Sequence, residues 1–206
     1  MTSGYGLLGA GAQAAEAQEW RGKPADFFFV DDAWADPTAG RYGSSSVPDE
    51  LTVLPVAAAV GPPAVRRRLV GLWSGSTFST IVSAHAVVSG EAQVGDGSLI
   101  GPLAVLSVGV AVGRHCLINI GATLSHDTQV DDFATVSPGA HVAGRCRIGA
   151  GAVVGVGASL LPGVSIGAGA IIGAGAVLTR DADPGGVYVG VPARKIDDRI
   201  EWATSI

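Results

Sequence analysis

From Val82 onward an aliphatic residue recurs at every sixth position: Val82, Val88, Val94, Ile100, Leu106, Val112, Ile118, Leu124, Val130, Val136, Val142, Ile148, Val154, Leu160, Ile166, Ile172 and Leu178. The register never slips. Two residues before each of them the side chain is small or β-branched, as at Ala86, Ala92, Ser98, Ala104, Val110, Cys116, Ala122, Thr128 and Ala134. Side chains two apart on a strand point the same way, so both positions face one interior. Glycine often follows the aliphatic residue, at Gly95, Gly101, Gly113, Gly149, Gly155, Gly167 and Gly173, where a corner leaves no room for a side chain. Each hexad is one short strand and one corner. Three hexads close a triangular coil of about eighteen residues. The pattern predicts a left-handed parallel β-helix of about five to six coils, stable only by stacking because no coil buries its own face. Burying each Val or Ile contributes ~1.5–3 kcal/mol, and a one-residue slip would turn the whole set outward.

The first eighty residues have a different rhythm. Tyr5 to Leu8, Phe27 to Val30 and Leu54 to Val60 read as short buried strands. Helix-favouring runs lie between and after them, to Trp20 and through Arg66-Arg67-Arg68. Strands alternating with helices predict a parallel sheet, and the Gly/Ser/Pro-rich stretch from Ala33 to Asp49 reads as a surface loop. The fold expected is a small N-terminal α/β, half-Rossmann domain over residues 1–80, a β-helix over 81–184 and a C-terminal tail over 185–206.

Composition agrees with a repeat of small aliphatic side chains. Of 206 residues 31 are glycine, 48% are hydrophobic and only 6% aromatic. The formal charge of −5 carries no basic stripe, so no nucleic-acid partner is expected. No Lys or Arg precedes Glu16, and stretches such as Leu54 to Val60 are too short to span a bilayer. A cytoplasmic protein without membrane attachment is expected. Cys116 and Cys146 occupy small-residue positions of the repeat and read as buried free thiols.

Chemistry enters with the histidines. His126 falls two residues after Leu124, at a corner where the ring can leave the core, and Asp127 follows it. A carboxylate there can orient the imidazole and favour its charged form. One coil further along stands Gly144, which leaves space above the ring and offers a bare N–H for an oxyanion. Proton removal from an attacking amine or hydroxyl suits a histidine. His85 reads as a cap of the first coil, and His115 and His141 as polar surface residues. The nearest histidines are eleven apart, so no metal is expected. In the N-terminal part, Gly9-x-Gly11-x-x-Ala14 with Asp31 beyond fits a phosphate-cradling loop at a helix start. A loop needing glycine for packing alone would have the same spelling.

Tyr5…Gly9-Ala10-Gly11, Phe29-Val30-Asp31-Asp32, Val60-Gly61 with Arg66, Leu124-Ser125-His126-Asp127 and Gly190-Val191-Pro192-Ala193-Arg194 together resemble the sugar O- and N-acetyltransferases of bacterial glycan pathways, a branch of the hexapeptide-repeat acyltransferases. The resemblance spans nearly the whole chain. It implies a homotrimer with acetyl-CoA lying between adjacent β-helices, no metal, and His126 as general base beside Asp127. It implies acetyl-CoA contacts at Thr135, Gly144, Val156 and Ala174, and a sugar-nucleotide site at Gly11, Ala12, Gln13, Asp31, Asp32 and Gly61. Asp127 stands where many relatives carry Glu, Gln13 and Thr135 where they carry histidine, and Pro62-Pro63 where they carry polar residues. The function expected is acetyl transfer from acetyl-CoA to an amino or hydroxyl group of a nucleotide-linked sugar. A non-catalytic trimeric scaffold, which would not bind a CoA thioester, is the alternative. A nucleotide oxidoreductase, which would bind NAD(P)H, is a third reading that the missing second mononucleotide half disfavours.

Overall fold

A computed structural model describes residues 4–199. The N-terminal part is a four-stranded parallel sheet. Its strands are β1 (Gly6–Leu8), β2 (Phe27–Phe29), β3 (Arg41–Tyr42) and β4 (Val56–Ala58), in the order β3-β2-β1-β4. Helices α1 (Ala12–Arg21), α2 (Asp49–Thr52) and α3 (Pro63–Leu72) connect or follow them. The stretch expected to be a loop contains β3 and two 3-10 turns, Asp32–Trp34 and Pro37–Ala39. At two residues β3 is too short to leave a periodic trace; it exists because β2 offers it a free edge.

Beyond Ile81 the chain winds into the left-handed β-helix, with two-residue strands stacked on three faces. Face 1 carries Ile81–Val82, Leu99–Ile100, Leu117–Ile118, Thr135–Val136, Val153–Val154 and Ile171–Ile172, and is extended by Gly186–Val189 and Arg194–Asp198. Face 2 is a six-stranded sheet running from Val87–Val88 through Thr123–Leu124 to Val177–Leu178. Face 3 is a five-stranded sheet from Gln93–Val94 to Ser165–Ile166. The ladder from Ile100 to Leu178 is buried, together with the small residues two before each rung. At the open first coil Val82 is exposed, having no coil beneath it. Glycine after the rung is a close-approach requirement: a β-carbon on Gly155 would stand 2.6 Å from the Ile172 carbonyl oxygen of the next coil. Cys116 and Cys146 are buried free thiols, as expected.

The outward residues of face 1 explain how the two parts join. Ile81, Leu99 and Leu117 point away from the helix interior yet are buried, packed with Tyr5, Leu7, Ala14, Ala17, Trp20, Ala57 and Ala59. On face 3 the outward Gln93, Gln129 and Arg147 are polar and exposed, with Ala111 and Ser165 half-buried in the same row. The N-terminal sheet and α1 therefore sit on face 1. Arg66 of α3 locks the junction. It is fully buried and donates to the carbonyls of Val60, Gly61, His115, Phe133 and Ala134 and to Thr135 Oγ1, at 2.5–3.2 Å. Burial lowers its pKa to about 10, so it remains a cation at neutral pH.

His115 lies in the same junction, which corrects its reading as a surface residue. Its ring is buried, edge-on to Phe78 and stacked on Phe133, with centroids 4.5 and 5.1 Å away. Nδ1 has no hydrogen-bond partner among the described residues. Burial, with the cation of Arg114 next in effect, lowers its pKa to about 4. The repeat alone would leave this corner in solvent; docking of the N-terminal part covers it.

Candidate active site

His126 stands on the corner between faces 2 and 3, opposite face 1. Its Nδ1 lies 2.8 Å from Asp127 Oδ2. An ionised carboxylate only accepts, so Nδ1 carries the hydrogen and Nε2 presents a lone pair. Nε2 faces Gly144, where a β-carbon would overlap the imidazole. The side chain of His126 is 46% exposed, open enough for a reactant to approach. Among the described residues no carbonyl accepts from the Gly144 N–H, whereas Ala143 and Arg145 on either side donate to Leu160 and His126.

The backbone holds the pair in place. Asp127 has φ 60°, in the left-handed region, at a corner position that is glycine in most other hexads. Non-glycine residues there cost roughly 1–2 kcal/mol, with Asp among the best tolerated. Its other carboxylate oxygen lies over Gly109, one coil back, where a β-carbon would stand 2.6 Å from Oδ1. Two missing side chains thus make room for the dyad: Gly144 for the ring and Gly109 for the carboxylate. Gly109 escaped the sequence reading, although the step of one coil that leads from His126 to Gly144 leads backward from Asp127 to Gly109.

The residues expected to hold acetyl-CoA are spread around the prism. Gly144 lies against His126. Val156 and Ala174 stack one coil apart on the corner between faces 1 and 2, with the Val156 side chain exposed. Thr135 is buried on face 1, where its hydroxyl accepts from Arg66 and donates to the Gly61 carbonyl at 3.2 Å. His141 lies on face 2 with its ring 2.9 Å from the Thr123 hydroxyl, and His85 is exposed on the first coil.

The N-terminal residues surround a second feature. A cavity of about 290 Å³ is lined by Gly9, Ala10, Gly11, Val30, Asp31, Trp34, Arg41, Val60, Val65 and Leu69. Gly9 has φ 104° and its β-carbon position is filled by Val60, so it is required for packing. Gly11 is the N-cap of α1, and its β-carbon position faces open space. Ala12 follows on the exposed first turn, and Gln13 donates to Glu16 at 3.0 Å. Both oxygens of Asp31 are bound by Arg68. Asp32 turns away to accept from Ser44 and Ser45, which lowers its pKa. Gly61 adjoins the Val60 wall. Cavity and His126 lie on opposite sides of one chain, so a single copy does not bring them together. Among the described residues no group of His, Cys, Asp and Glu is placed to hold a metal ion, and no helix is long and apolar enough to cross a membrane.

A β-helix with an imidazole–carboxylate pair on one corner, carrying an α/β unit with a glycine-lined cavity, is the arrangement expected of a hexapeptide-repeat acyltransferase. Family models agree: one for the bacterial transferase hexapeptide (six repeats) matches residues 145–180, and one for the hexapeptide repeat of succinyl-transferase matches residues 92–125. Similar solved structures extend over almost the whole chain. The acetyltransferase domain of PglB from Neisseria gonorrhoeae is 26% identical, covers 93% of this chain and 98% of its own, and superposes with a TM-score of 0.82. A variant of GDP-perosamine N-acetyl transferase from Caulobacter crescentus, solved with CoA and GDP-perosamine, is 25% identical over 96% and 99% of the two chains, with a TM-score of 0.81. WeeI from Acinetobacter baumannii is 28% identical over 94% and 99%, with a TM-score of 0.80. No curated protein sequence matches. The chain is thus similar, over nearly its whole length, to solved acetyltransferases that act on bacterial sugars.

Proposed function

We propose that this protein transfers the acetyl group of acetyl-CoA to an amino or hydroxyl group of a nucleotide-linked sugar, with His126 as general base. The observation that carries this is the dyad itself: an imidazole held by Asp127 at 2.8 Å, its free nitrogen seated against Gly144. The acceptor's amine or hydroxyl attacks the thioester carbonyl while Nε2 takes its proton. The tetrahedral oxyanion is held by the Gly144 N–H. Collapse breaks the C–S bond, and the imidazolium returns the proton to the departing CoA thiolate. Asp127 keeps the ring in its reactive tautomer and stabilises its positive form. The acceptor's nucleotide occupies the cavity at Gly11, with Ala12, Gln13, Asp31, Asp32 and Gly61 around it.

The working unit is a homotrimer. Exposed apolar residues gather on face 2 and its two edges: Val87 on the face, Leu103, Ile120 and Val156 on the edge toward face 1, and Val108 and Leu161 on the edge toward face 3. Three copies packed by this face about a common axis bury that surface. They also bring the Val156–Ala174 edge of one copy beside the His126–Gly144 edge of the next. Acetyl-CoA then lies in the groove between copies, and the acceptor cavity of one chain serves the base of another. Use of acetyl-CoA assigns the protein to the cytoplasm.

Thiol release from acetyl-CoA, measured across UDP-, GDP- and dTDP-linked amino sugars, tests the activity. One acceptor should gain a single acetyl group by mass spectrometry; silence across the panel sinks the reading. Light scattering should give the mass of three chains, and a monomer would refute the shared site.

A further inference from the structure

Of the tryptophans among the described residues, Trp20 and Trp73 are packed away at 8% and 5% exposure, whereas Trp34 is 73% exposed. An exposed indole presents a flat apolar face and a polar N–H to a ligand. Trp34 lines the 290 Å³ cavity together with Gly11 and the apolar side chains of Val60, Val65 and Leu69. Its backbone is fixed. The Trp34 N–H donates to the Asp31 carbonyl at 2.8 Å, Asp31 is bound by Arg68, and Asp32 is held by Ser44 and Ser45. Arg41 shares the rim, 3.6 Å from Asp36 in a half-exposed pair that leaves guanidinium donors for an anion. Because Arg68 occupies both oxygens of Asp31, that wall presents little uncompensated negative charge to a phosphate.

We propose that Trp34 is the specificity-determining platform on which the nucleobase of the acceptor stacks, with Arg41 beside the diphosphate. This rests on the nucleotide-sugar reading above and adds where the base lies. The cavity is near the small end of ligand pockets, which run from about 300 Å³ upward. It accommodates a base and its ribose and leaves the sugar outside, free to reach the base His126 of a neighbouring copy. A flat aromatic ring is accepted by its face, so Trp34 favours a nucleoside diphosphate over a bare phosphate group.

Calorimetric titration of UDP, GDP, dTDP and inorganic pyrophosphate into the wild type, Trp34→Ala and Trp34→Phe tests this. Trp34→Ala should weaken the best nucleoside diphosphate roughly 5- to 100-fold. Trp34→Phe should stay within a few-fold of the wild type. Pyrophosphate binding, acetyl-CoA binding and the trimer mass should not move in either variant. Equal nucleoside diphosphate affinity in wild type and Trp34→Ala overturns the stacking role and leaves the nucleotide reading standing. A change of oligomeric mass, or a loss confined to acetyl-CoA, overturns it in favour of a contact between copies or with the donor. A wild type that binds none of the nucleoside diphosphates removes the nucleotide reading and this inference with it.

Discussion

Replacing Gly144 with alanine should separate activity from stability. The added β-carbon would stand 2.7 and 2.8 Å from Cε1 and Cδ2 of His126. Carbon atoms in contact sit at about 3.5–4.0 Å, so the ring must retreat by roughly 1 Å, a displacement that can cost about 10²-fold in rate. The backbone has no objection, since Gly144 is not among the glycines of positive φ. Alanine in a compatible conformation stabilises by roughly 0.4–1 kcal/mol through the unfolded chain. The expected outcome is kcat reduced about a hundredfold by thiol release, with a urea midpoint unchanged or raised. Full activity in Gly144→Ala would refute the tight seating of the ring. Parallel loss of activity and stability would mean that the glycine serves the coil and not the base.

Acid should weaken the fold through His115. Its folded pKa of about 4 lies below the ordinary 6.5, so the unfolded chain takes up the proton first. That contribution is complete above about pH 6.5 and is lost as pH falls toward 4, amounting to about 3 kcal/mol. Urea midpoints across that range should fall, and His115→Asn should flatten the slope. Arg66→Met strands buried carbonyls on both sides of the junction and should destabilise by about 3 kcal/mol or more; a urea midpoint within error of the wild type would contradict the pinning role. Burial raises the Cys116 thiol to about 12, so Ellman's reagent should reach it only in denaturant, and fast native labelling would show the coil to be open there.

The repeat made the β-helix legible because every hexad states the same geometry. Aliphatic and small positions alternate with corners, and seventeen consecutive rungs agree. The step of one coil then located Gly144 against His126 without any knowledge of side-chain contacts. What the period cannot express is contact between parts. His115 looks like any polar corner until the N-terminal sheet covers it. A signal was present in Ile81, Leu99 and Leu117, apolar at outward positions where face 3 has Gln93, Gln129 and Arg147. Thr135 is the next step on that outward row, and it reaches Arg66 instead of solvent. The Asp31–Arg68 pair joins residues 37 apart, and no local pattern links them. Trp34 sat inside a stretch that composition marked only as loop.

The role proposed for His126 is removal of the acceptor's proton during acetyl transfer. Its most direct test compares His126→Ala with the wild type under saturating acetyl-CoA and acceptor, with acetyl-CoA affinity measured alongside. Turnover should fall by roughly 10²–10⁴-fold while acetyl-CoA binds as before and the oligomeric mass is unchanged. Undiminished turnover in His126→Ala would remove His126 from the mechanism.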